Sequence, residues 1–248
     1  MAILYGHRGA RGEAPENTLP SFRQALDAGV TRMELDLHLS SDRQLMVIHD
    51  PTLKRTTGLR GKIAQHTAAQ LMEMDARFAP PGWPTACPIP SLKQLFEAFP
   101  EIEHYQLEVK SGSINQSRIV LNAINALVAA FGLQDRVVIT SSSRTLLKVA
   151  KDTGFNLPTG LVEEYGLLDP IRSALRYGCQ FLVLNWKLCN PDRISRAQRK
   201  GLHVSVWTVN DPALMDRLVD MGVDSIITDV PHLAVKTIGL GTSDELPG

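Results

Sequence analysis

Residues 33–41, MELDLHLSS, carry titratable side chains at alternate positions of an apolar stretch. Because successive side chains of a β-strand point to opposite faces, Glu34, Asp36 and His38 share one face, and methionine and leucine residues take the other. Side chains two residues apart in a strand are about 6.6 Å apart, so two carboxylates could hold one ion from neighbouring positions. The stretch therefore predicts a half-buried strand whose second face carries chemistry.

A third carboxylate, Glu108, occurs in the strand-like stretch YQLEVK, where it shares a face with Lys110. Together with Glu34 and Asp36 it would form a set of hard oxygen ligands without cysteine, which suits Mg²⁺, Ca²⁺ or Mn²⁺ rather than zinc. We expect one divalent cation here, with Mg²⁺ favoured. The alternative is that the three acids form ion pairs with arginine or lysine across the fold. Uncompensated, they would repel one another, so either a cation or basic partners must be present.

Two histidines, His7 and His49, follow strand-like stretches and are the candidates for general acid and base, because imidazole titrates near neutral pH. The alternative for either one alone is a structural histidine satisfied by the backbone. Arg8 and Lys110 are the candidates for an anion contact, since a guanidinium offers a fork of donors and an ammonium a point charge. A cation together with arginine and lysine is typical of a site that binds phosphate and stabilises transition-state charge.

The other polar residues near these positions receive supporting roles. His38 lies later on its strand than the two acids and is predicted to be structural. Glu16 is expected to brace Arg8, and Asn17-Thr18 is expected to cap the first helix rather than to bind substrate.

Eight strand-like stretches alternate with eight helical ones, which predicts a parallel sheet of the α/β class. This number favours a closed (β/α)8 TIM barrel, in which reactive side chains belong at the carboxyl ends of the strands. The alternative is an open doubly wound sheet, but GHRGARGEAPENT lacks the glycine spacing of its phosphate loop. The predicted strands are 3–5, 32–39, 105–109, 137–140, 159–162, 181–184, 203–208 and 225–227. The predicted helices are 19–28, 91–99, 117–131, 145–153, 170–177, 191–200, 212–221 and 231–238.

One irregular segment interrupts this alternation. Residues 50–90, rich in proline, glycine and threonine, separate the second strand from its helix. An insertion at such a junction lies on the catalytic face of a barrel, so we expect it to cover the site. We therefore expect one TIM-barrel domain over residues 1–238 and a flexible tail over 239–248.

The composition is that of a globular protein: 44% of the 248 residues are hydrophobic, and 26 basic residues balance 26 acidic ones. This balance gives no support to nucleic-acid binding through bulk charge. Cys87, Cys179 and Cys189 have no C-x-x-C spacing and are expected to be reduced thiols. No apolar run approaches the roughly 18 residues of a membrane span. No signal sequence is recognised at the N-terminus, so a cytoplasmic location is expected.

Six stretches, HRGARGEAPENT, ELD, IHDPTLKRTTG, LEVK, WTVN and TDVP, follow the order and approximate spacing of the glycerophosphodiester phosphodiesterase family. The resemblance covers about residues 3–236 and looks closest to the short cytoplasmic bacterial members. It implies a (β/α)8 barrel that hydrolyses deacylated phospholipids, such as glycerophosphocholine and glycerophosphoethanolamine, to glycerol 3-phosphate and an alcohol. By motif, Glu34, Asp36 and Glu108 resemble the family's metal ligands. His7 and His49 resemble its acid–base pair, and Arg8 and Lys110 match its phosphate-binding positions.

The sequence departs from the family pattern at the end of the fourth strand. That strand usually ends in Ser-Phe, whereas here it reads ITSSS, with Ser142 at the aromatic position. The difference bears on substrate preference rather than on the reaction. Two alternative functions are a lysophospholipase D-type phosphodiesterase, which would need an apolar channel at the mouth, and a barrel that binds phosphodiesters without cleaving them. The residues leave open whether the glycerol 2-hydroxyl or a water molecule attacks phosphorus.

Overall fold

The computed structural model describes residues 2–110, 112–166 and 168–240. Its strands are β1 Ile3–His7, β2 Arg32–Leu39, β3 Leu45–Val47, β4 His104–Val109, β5 Val137–Ser141, β6 Thr159–Glu163, β7 Phe181–Asn185, β8 His203–Trp207 and β9 Ser225–Thr228. Its α-helices are α1 Leu19–Asp27, α2 Lys54–Thr57, α3 Ala68–Leu71, α4 Leu92–Ala98, α5 Ile114–Phe131, α6 Arg144–Asp152, α7 Pro170–Tyr177, α8 Pro191–Gln198, α9 Pro212–Asp220 and α10 Pro231–Ile238. Short 3-10 helices lie at Ile63–Gln65, Gln134–Arg136 and Trp186–Leu188.

Eight of these strands form a closed parallel barrel. Their order around it is β1-β9-β8-β7-β6-β5-β4-β2, and hydrogen bonds between β1 and β2 close the ring. One helix of the set α1 and α4–α10 follows each barrel strand in the chain. β3 is antiparallel to β2 and lies outside the ring. The predicted (β/α)8 TIM barrel is therefore confirmed, with one added strand.

The predicted barrel strands agree with the structure to within two residues at either end. The added strand β3 was missed, because an apolar run as short as LMV has no periodicity that separates a strand from other buried structure. Helix α5 begins at Ile114, three residues before the predicted start, because the Ser113 side chain caps it by accepting a hydrogen bond from the Gln116 N–H.

The strands are buried on both faces, as expected for a parallel barrel surrounded by helices. Outward side chains of the strands, such as Leu35 and Leu107, pack in the main core with the helices. Inward side chains form a second, smaller cluster that includes Tyr5, Phe181 and Ile227. This interior cluster lies between polar side chains at both ends of the barrel, among them His104 and His203 at the amino ends of β4 and β8 and, towards the carboxyl end of the barrel, Glu34 of β2 and Glu108 of β4.

The segment 50–90 packs together with Met46 of β3 and with Ile48 in an apolar cluster that is separate from the main core. It contains α2 and α3, and the cluster consists of Met46, Ile48, Leu53, Ile63, Ala68, Leu71, Ala76 and Ile89. The segment follows β2 and β3, and so begins at the carboxyl end of the barrel. That it covers the site stays a prediction, as does the extent of one domain over residues 1–238.

Three further features complete the description of the chain. All three cysteines are free thiols. No helix among the described residues is long and apolar enough to cross a bilayer. Of the predicted tail at 239–248, positions 241–248 lie outside the described residues.

Candidate active site

The carboxyl ends of the barrel strands surround a cavity of about 150 Å³. Its wall includes most of the residues singled out in the sequence, namely His7, Arg8, Glu34, His49, Glu108 and Lys110. The seventh, Asp36, is fully buried behind them and contacts Arg8 and Lys110. The structure therefore brings all seven predicted site residues together.

The three acidic residues converge because of the strand register. Asp36 on β2 is the direct neighbour of Glu108 on β4, and Glu34 precedes Asp36 by two residues on the same face. One carboxylate oxygen from each residue lies within 4.8 Å of the others. Glu34 and Asp36 are buried and Glu108 is partly buried. Three convergent carboxylates of this kind could hold a hard divalent cation.

Arg8 and Lys110 lie among these carboxylates. Lys110 Nζ is 2.7 Å from Glu108 Oε1 and 3.2 Å from Asp36 Oδ1. Arg8 Nε is 3.0 Å from Asp36 Oδ2. The ion pairs considered as an alternative to metal binding therefore exist for two of the three acids.

Glu34 is the acid that forms no ion pair with an arginine or lysine side chain in the described part of the chain. Its Oε2 accepts a hydrogen bond from the Arg8 backbone N–H at 3.3 Å and lies 3.8 Å from His7 Nε2. Burial raises the pKa of Glu34 well above its usual value, and the charges of Asp36 and Glu108 add to this effect. Burial acts on Asp36 in the same direction, but the charges of Arg8 and Lys110 outweigh it and lower the pKa of that carboxyl.

The charges of this cluster fit a metal ion. Three carboxylates face two basic side chains, so one negative charge lacks a counter-charge, and it falls on Glu34. A divalent cation at the three oxygens would compensate that charge and turn the balance positive, towards an anionic substrate. The oxygen donor set and its uncompensated charge therefore match a hard cation better than a closed set of ion pairs.

His7 is held by a carboxylate from the opposite end of the chain. Its Nδ1 lies 2.6 Å from Asp229 Oδ1, which places the ring proton on Nδ1 and leaves Nε2 free to accept one. Asn210 fixes Asp229 in turn, since Asn210 Nδ2 donates to Asp229 Oδ2 at 2.7 Å. Burial lowers the pKa of His7, and the hydrogen bond to Asp229 offsets only part of this effect. A neutral, oriented imidazole suits a general base.

His49 lies across the cavity entrance in a more exposed setting. Its Nδ1 is 2.7 Å from Asp50 Oδ1, and Arg55 Nε is 2.8 Å from Asp50 Oδ2. Arg55 also binds Glu16 through both terminal nitrogens, at 2.6 and 2.8 Å, and Arg8 Nη1 donates to the same carboxylate at 2.8 Å. This chain of ion pairs joins the 50–90 segment to the loop after β1.

Glu16 stays ionised within this chain of ion pairs. Burial raises its pKa, but the hydrogen bond from Arg55 and the charge of Arg8 outweigh burial and bring the pKa to about 2. The expected bracing of Arg8 by Glu16 is confirmed by their contact. Glu16 also has a second role that the sequence did not indicate, because it holds Arg55 next to Asp50.

The prediction that the side chains of Asn17 and Thr18 cap the first helix is wrong. Asn17 has a left-handed backbone conformation, with φ of 58°, and its Nδ2 donates to Asp36 Oδ2 at 3.1 Å. Thr18 occupies the N-cap position of α1, but its hydroxyl donates to the Pro15 carbonyl instead of accepting from the helix. His38 Nε2 donates to the His49 carbonyl oxygen at 2.9 Å, as expected of a structural residue.

The sequence marked Asp50, Asn210 and Asp229 as polar residues near strand ends but assigned them no particular role, and it did not single out Arg55. Asp229 and Asn210 lie in TDVP and WTVN, just after β9 and β8. A polar residue after a strand was the available signal, but only ring closure places β9 beside β1 and Asp229 beside His7. Asp50 adjoins His49 in the sequence, so this pair was visible without its geometry.

The rest of the cavity wall carries fewer charged groups. β5 contributes Thr140, β6 contributes Val162 and β8 contributes Trp207, while Ser142 and Glu164 come directly after β5 and β6.

Comparisons with known proteins agree with this architecture. A Caldanaerobacter subterraneus glycerophosphodiester phosphodiesterase is 30% identical over 96% of this chain and 98% of its own length. The crystal structure of a protein from Silicibacter pomeroyi matches the fold of this chain with a TM-score of 0.88 at 25% sequence identity, and the match covers 97% of this chain and 95% of that one. An Oleispira antarctica phosphodiesterase solved with sn-glycerol-3-phosphate has a TM-score of 0.84 at 24% identity, covering 96% and 97%. The glycerophosphoryl diester phosphodiesterase family model matches residues 7–233, and the chain belongs to this family.

Proposed function

We propose that this protein hydrolyses glycerophosphodiesters to glycerol 3-phosphate and an alcohol, with Glu34, Asp36 and Glu108 holding one divalent cation. The observation that carries the proposal is that three carboxylates and two histidines converge on one cavity. Each of the two histidines is oriented by a neighbouring carboxylate. Family membership supports the reaction. The product found in the Oleispira antarctica relative supports glycerol 3-phosphate as the product here.

The basic residues of the site bind the phosphate. Arg8 offers guanidinium donors and Lys110 an ammonium at the edge of the carboxylate cluster, where both can contact phosphoryl oxygens. When bound, the cation polarises a phosphoryl oxygen as a Lewis acid and offsets the charge that grows in the transition state. Mg²⁺ is the favoured ion, because three carboxylates are hard oxygen ligands; Ca²⁺ and Mn²⁺ share this preference.

The two histidines divide the proton transfers between them. His7 Nε2 accepts the proton of the attacking hydroxyl, which belongs to the glycerol 2-position or to water, as oxygen attacks phosphorus. His49 gives a proton to the alcohol oxygen as its bond to phosphorus breaks. The burial that lowers the pKa of His7 supports its role as base. Asp50, which accepts a hydrogen bond from His49 Nδ1, would balance the charge of a protonated His49 ring.

Two further proposals concern the cover of the site and the location of the protein. The segment 50–90 supplies Asp50 and Arg55 next to His49, which supports its role as a cover of the site. A cytoplasmic location is supported by the three free thiols, since reducing conditions keep thiols unpaired.

The test measures glycerol 3-phosphate release from glycerophosphoethanolamine by the purified protein. Activity should vanish after treatment with a chelator and return with Mg²⁺, and titrations of Mg²⁺, Ca²⁺ and Mn²⁺ would rank the ions. Asp220→Asn, an exposed change at the end of α9, serves as a control with unchanged activity. Full activity in the metal-free protein would refute the assignment of the carboxylates.

A further inference from the structure

The cavity contains one carboxylate that the proposed reaction does not use. Glu164 follows β6, which lies four strands away from β1 in the ring of eight and hence faces His7 and Arg8 across the mouth. The residues near it on the cavity wall, including Val162, Val183 and Ser142, are uncharged. A single negative charge therefore stands at the side of the cavity opposite the phosphate-binding residues.

Glu164 differs from the other carboxylates of the cavity in its partners. Glu108 pairs with Lys110, whereas no basic side chain in the described ranges forms an ion pair with Glu164. The preceding residue, Glu163, faces away from the cavity and pairs with Arg144 Nη2 at 2.7 Å. Glu164 acts instead on the neutral Tyr165 hydroxyl, whose pKa it raises through a hydrogen bond and its charge. Because the Glu164 side chain is exposed and has no ion-pair partner in these ranges, it can meet a cation that enters the cavity.

Two neighbouring side chains shape this part of the cavity for a small organic cation. Trp207 contributes an aromatic ring to the wall, and its buried Nε1 has no hydrogen-bond partner among the described residues. An indole ring attracts ammonium groups through its face. Ser142, a small uncharged residue, lines the same cavity. The cavity is below the roughly 300–1,000 Å³ usual for sites of drug-sized ligands, so a small headgroup suits it better than a lipid tail.

We propose that Glu164, together with Trp207, forms a subsite for a positively charged alcohol and makes the enzyme selective for esters of ethanolamine or choline. This inference rests on the hydrolysis proposed above. With phosphate at Arg8 and Lys110, the alcohol extends away from them, towards the opposite wall, and brings its ammonium group near the Glu164 carboxylate. Glu164 and Trp207 are specificity-determining residues and take no part in proton transfer.

The experiment compares specificity constants for two cationic and two neutral esters. The terms cationic and neutral refer to the alcohol, since every phosphodiester also carries one negative charge: the cationic pair is glycerophosphoethanolamine and glycerophosphocholine, and the neutral pair is glycerophosphoglycerol and glycerophosphoinositol. Glu164→Gln should lower kcat/KM for the cationic pair by about 2- to 5-fold, the range of an exposed ion pair. The neutral pair should be unchanged, and the loss should lie in KM because the contact is the same in ground and transition states. Glu164→Lys should reverse the preference.

Two controls separate this subsite from the reaction and from general charge effects. Asp220→Asn removes one negative charge at the far end of α9 and should change no substrate preference. Raising the salt concentration should reduce the wild-type preference for cationic esters, since screening weakens exposed charge pairs. If Glu164→Gln changes all four substrates equally, or none, the subsite is refuted. If the wild-type protein with Mg²⁺ cleaves none of the four esters, the proposed function itself fails.

Discussion

The contact between His7 and Asp229 allows the sharpest test of the proton-transfer assignment. In Asp229→Asn, the side chain keeps its shape, but one of its oxygens becomes an amide nitrogen. Asn210 Nδ2 donates to Asp229 Oδ2 at 2.7 Å and would hold the remaining oxygen there. The new amide nitrogen would then face His7 Nδ1, where Asp229 Oδ1 now lies at 2.6 Å. It would donate to Nδ1 and move the ring proton to Nε2, so that His7 could no longer accept a proton.

The size of the loss follows from these contacts. The side chains of His7 and Asp229 are 7% and 12% exposed, so the pair is well shielded from solvent. A buried hydrogen bond to a charged group contributes about 1.5–3 kcal/mol, which corresponds to about 10- to 150-fold in rate if the transition state uses all of it. Loss of the correct tautomer adds to this, since positioned bases contribute about 10²- to 10⁴-fold. We therefore expect kcat to fall by about 10²- to 10⁴-fold.

The pH profile distinguishes this role from a purely structural one. Burial lowers the pKa of His7, and Asp229 opposes this effect by its hydrogen bond and charge. Without the carboxylate the pKa should fall further, so the acidic limb of the residual activity should move to lower pH. The assay is kcat against pH, with the melting temperature as a check on folding and Asp220→Asn as the matched Asp-to-Asn control on the surface. A kcat within about 3-fold of the wild type, with an unmoved limb, would refute the reasoning.

Four other changes test the remaining assignments. Glu34→Gln should weaken Mg²⁺ binding, measured by calorimetry, by more than about 10-fold, because loss of a residue that merely supports a metal ligand already costs about that much. Unchanged binding would exclude Glu34 as a ligand. Arg8→Lys keeps the charge but loses the donor fork, so kcat/KM should fall by about 10-fold or more, and wild-type activity would contradict a forked phosphate contact. His49→Ala should lower kcat by about 10²- to 10⁴-fold. A nitrophenyl ester, whose leaving group needs little protonation, should restore kcat in His49→Ala but not in His7→Ala. Rescue of His7→Ala alone would exchange the roles of acid and base. The pKa of Glu16 is about 2 in the folded protein and 4.5 in the unfolded chain. The ionised Glu16 side chain therefore contributes its full stabilisation above about pH 4.5 and loses it as the pH falls towards 2. The drop in melting temperature on acidification should accordingly be smaller in Glu16→Gln than in the wild type.

Much of the site was accessible from local pattern. The alternation in MELDLHLSS placed Glu34 and Asp36 on one strand face, and the structure shows both with that orientation. Strand and helix spacing predicted the barrel, because parallel strands need a crossover of this length between them. Asn17 shows where local reasoning fails. Its type and position suit a helix cap, but the buried carboxylate of Asp36 offers a stronger partner than the helix end.

The sequence by itself determined which residue types stand at strand ends, because side-chain alternation and strand length are local properties of the backbone. It thereby determined the fold class and seven of the residues that line or support the cavity. Tertiary structure alone decided which of them touch: the register of β2 against β4 sets Asp36 beside Glu108, and closure of the ring sets Asp229 beside His7 across 222 positions of chain. It also decided that Glu163 pairs with Arg144 while Glu164 faces the cavity. These contacts depend on strand order and register, which arise from packing of the whole barrel and leave no periodic signal in any short stretch of sequence.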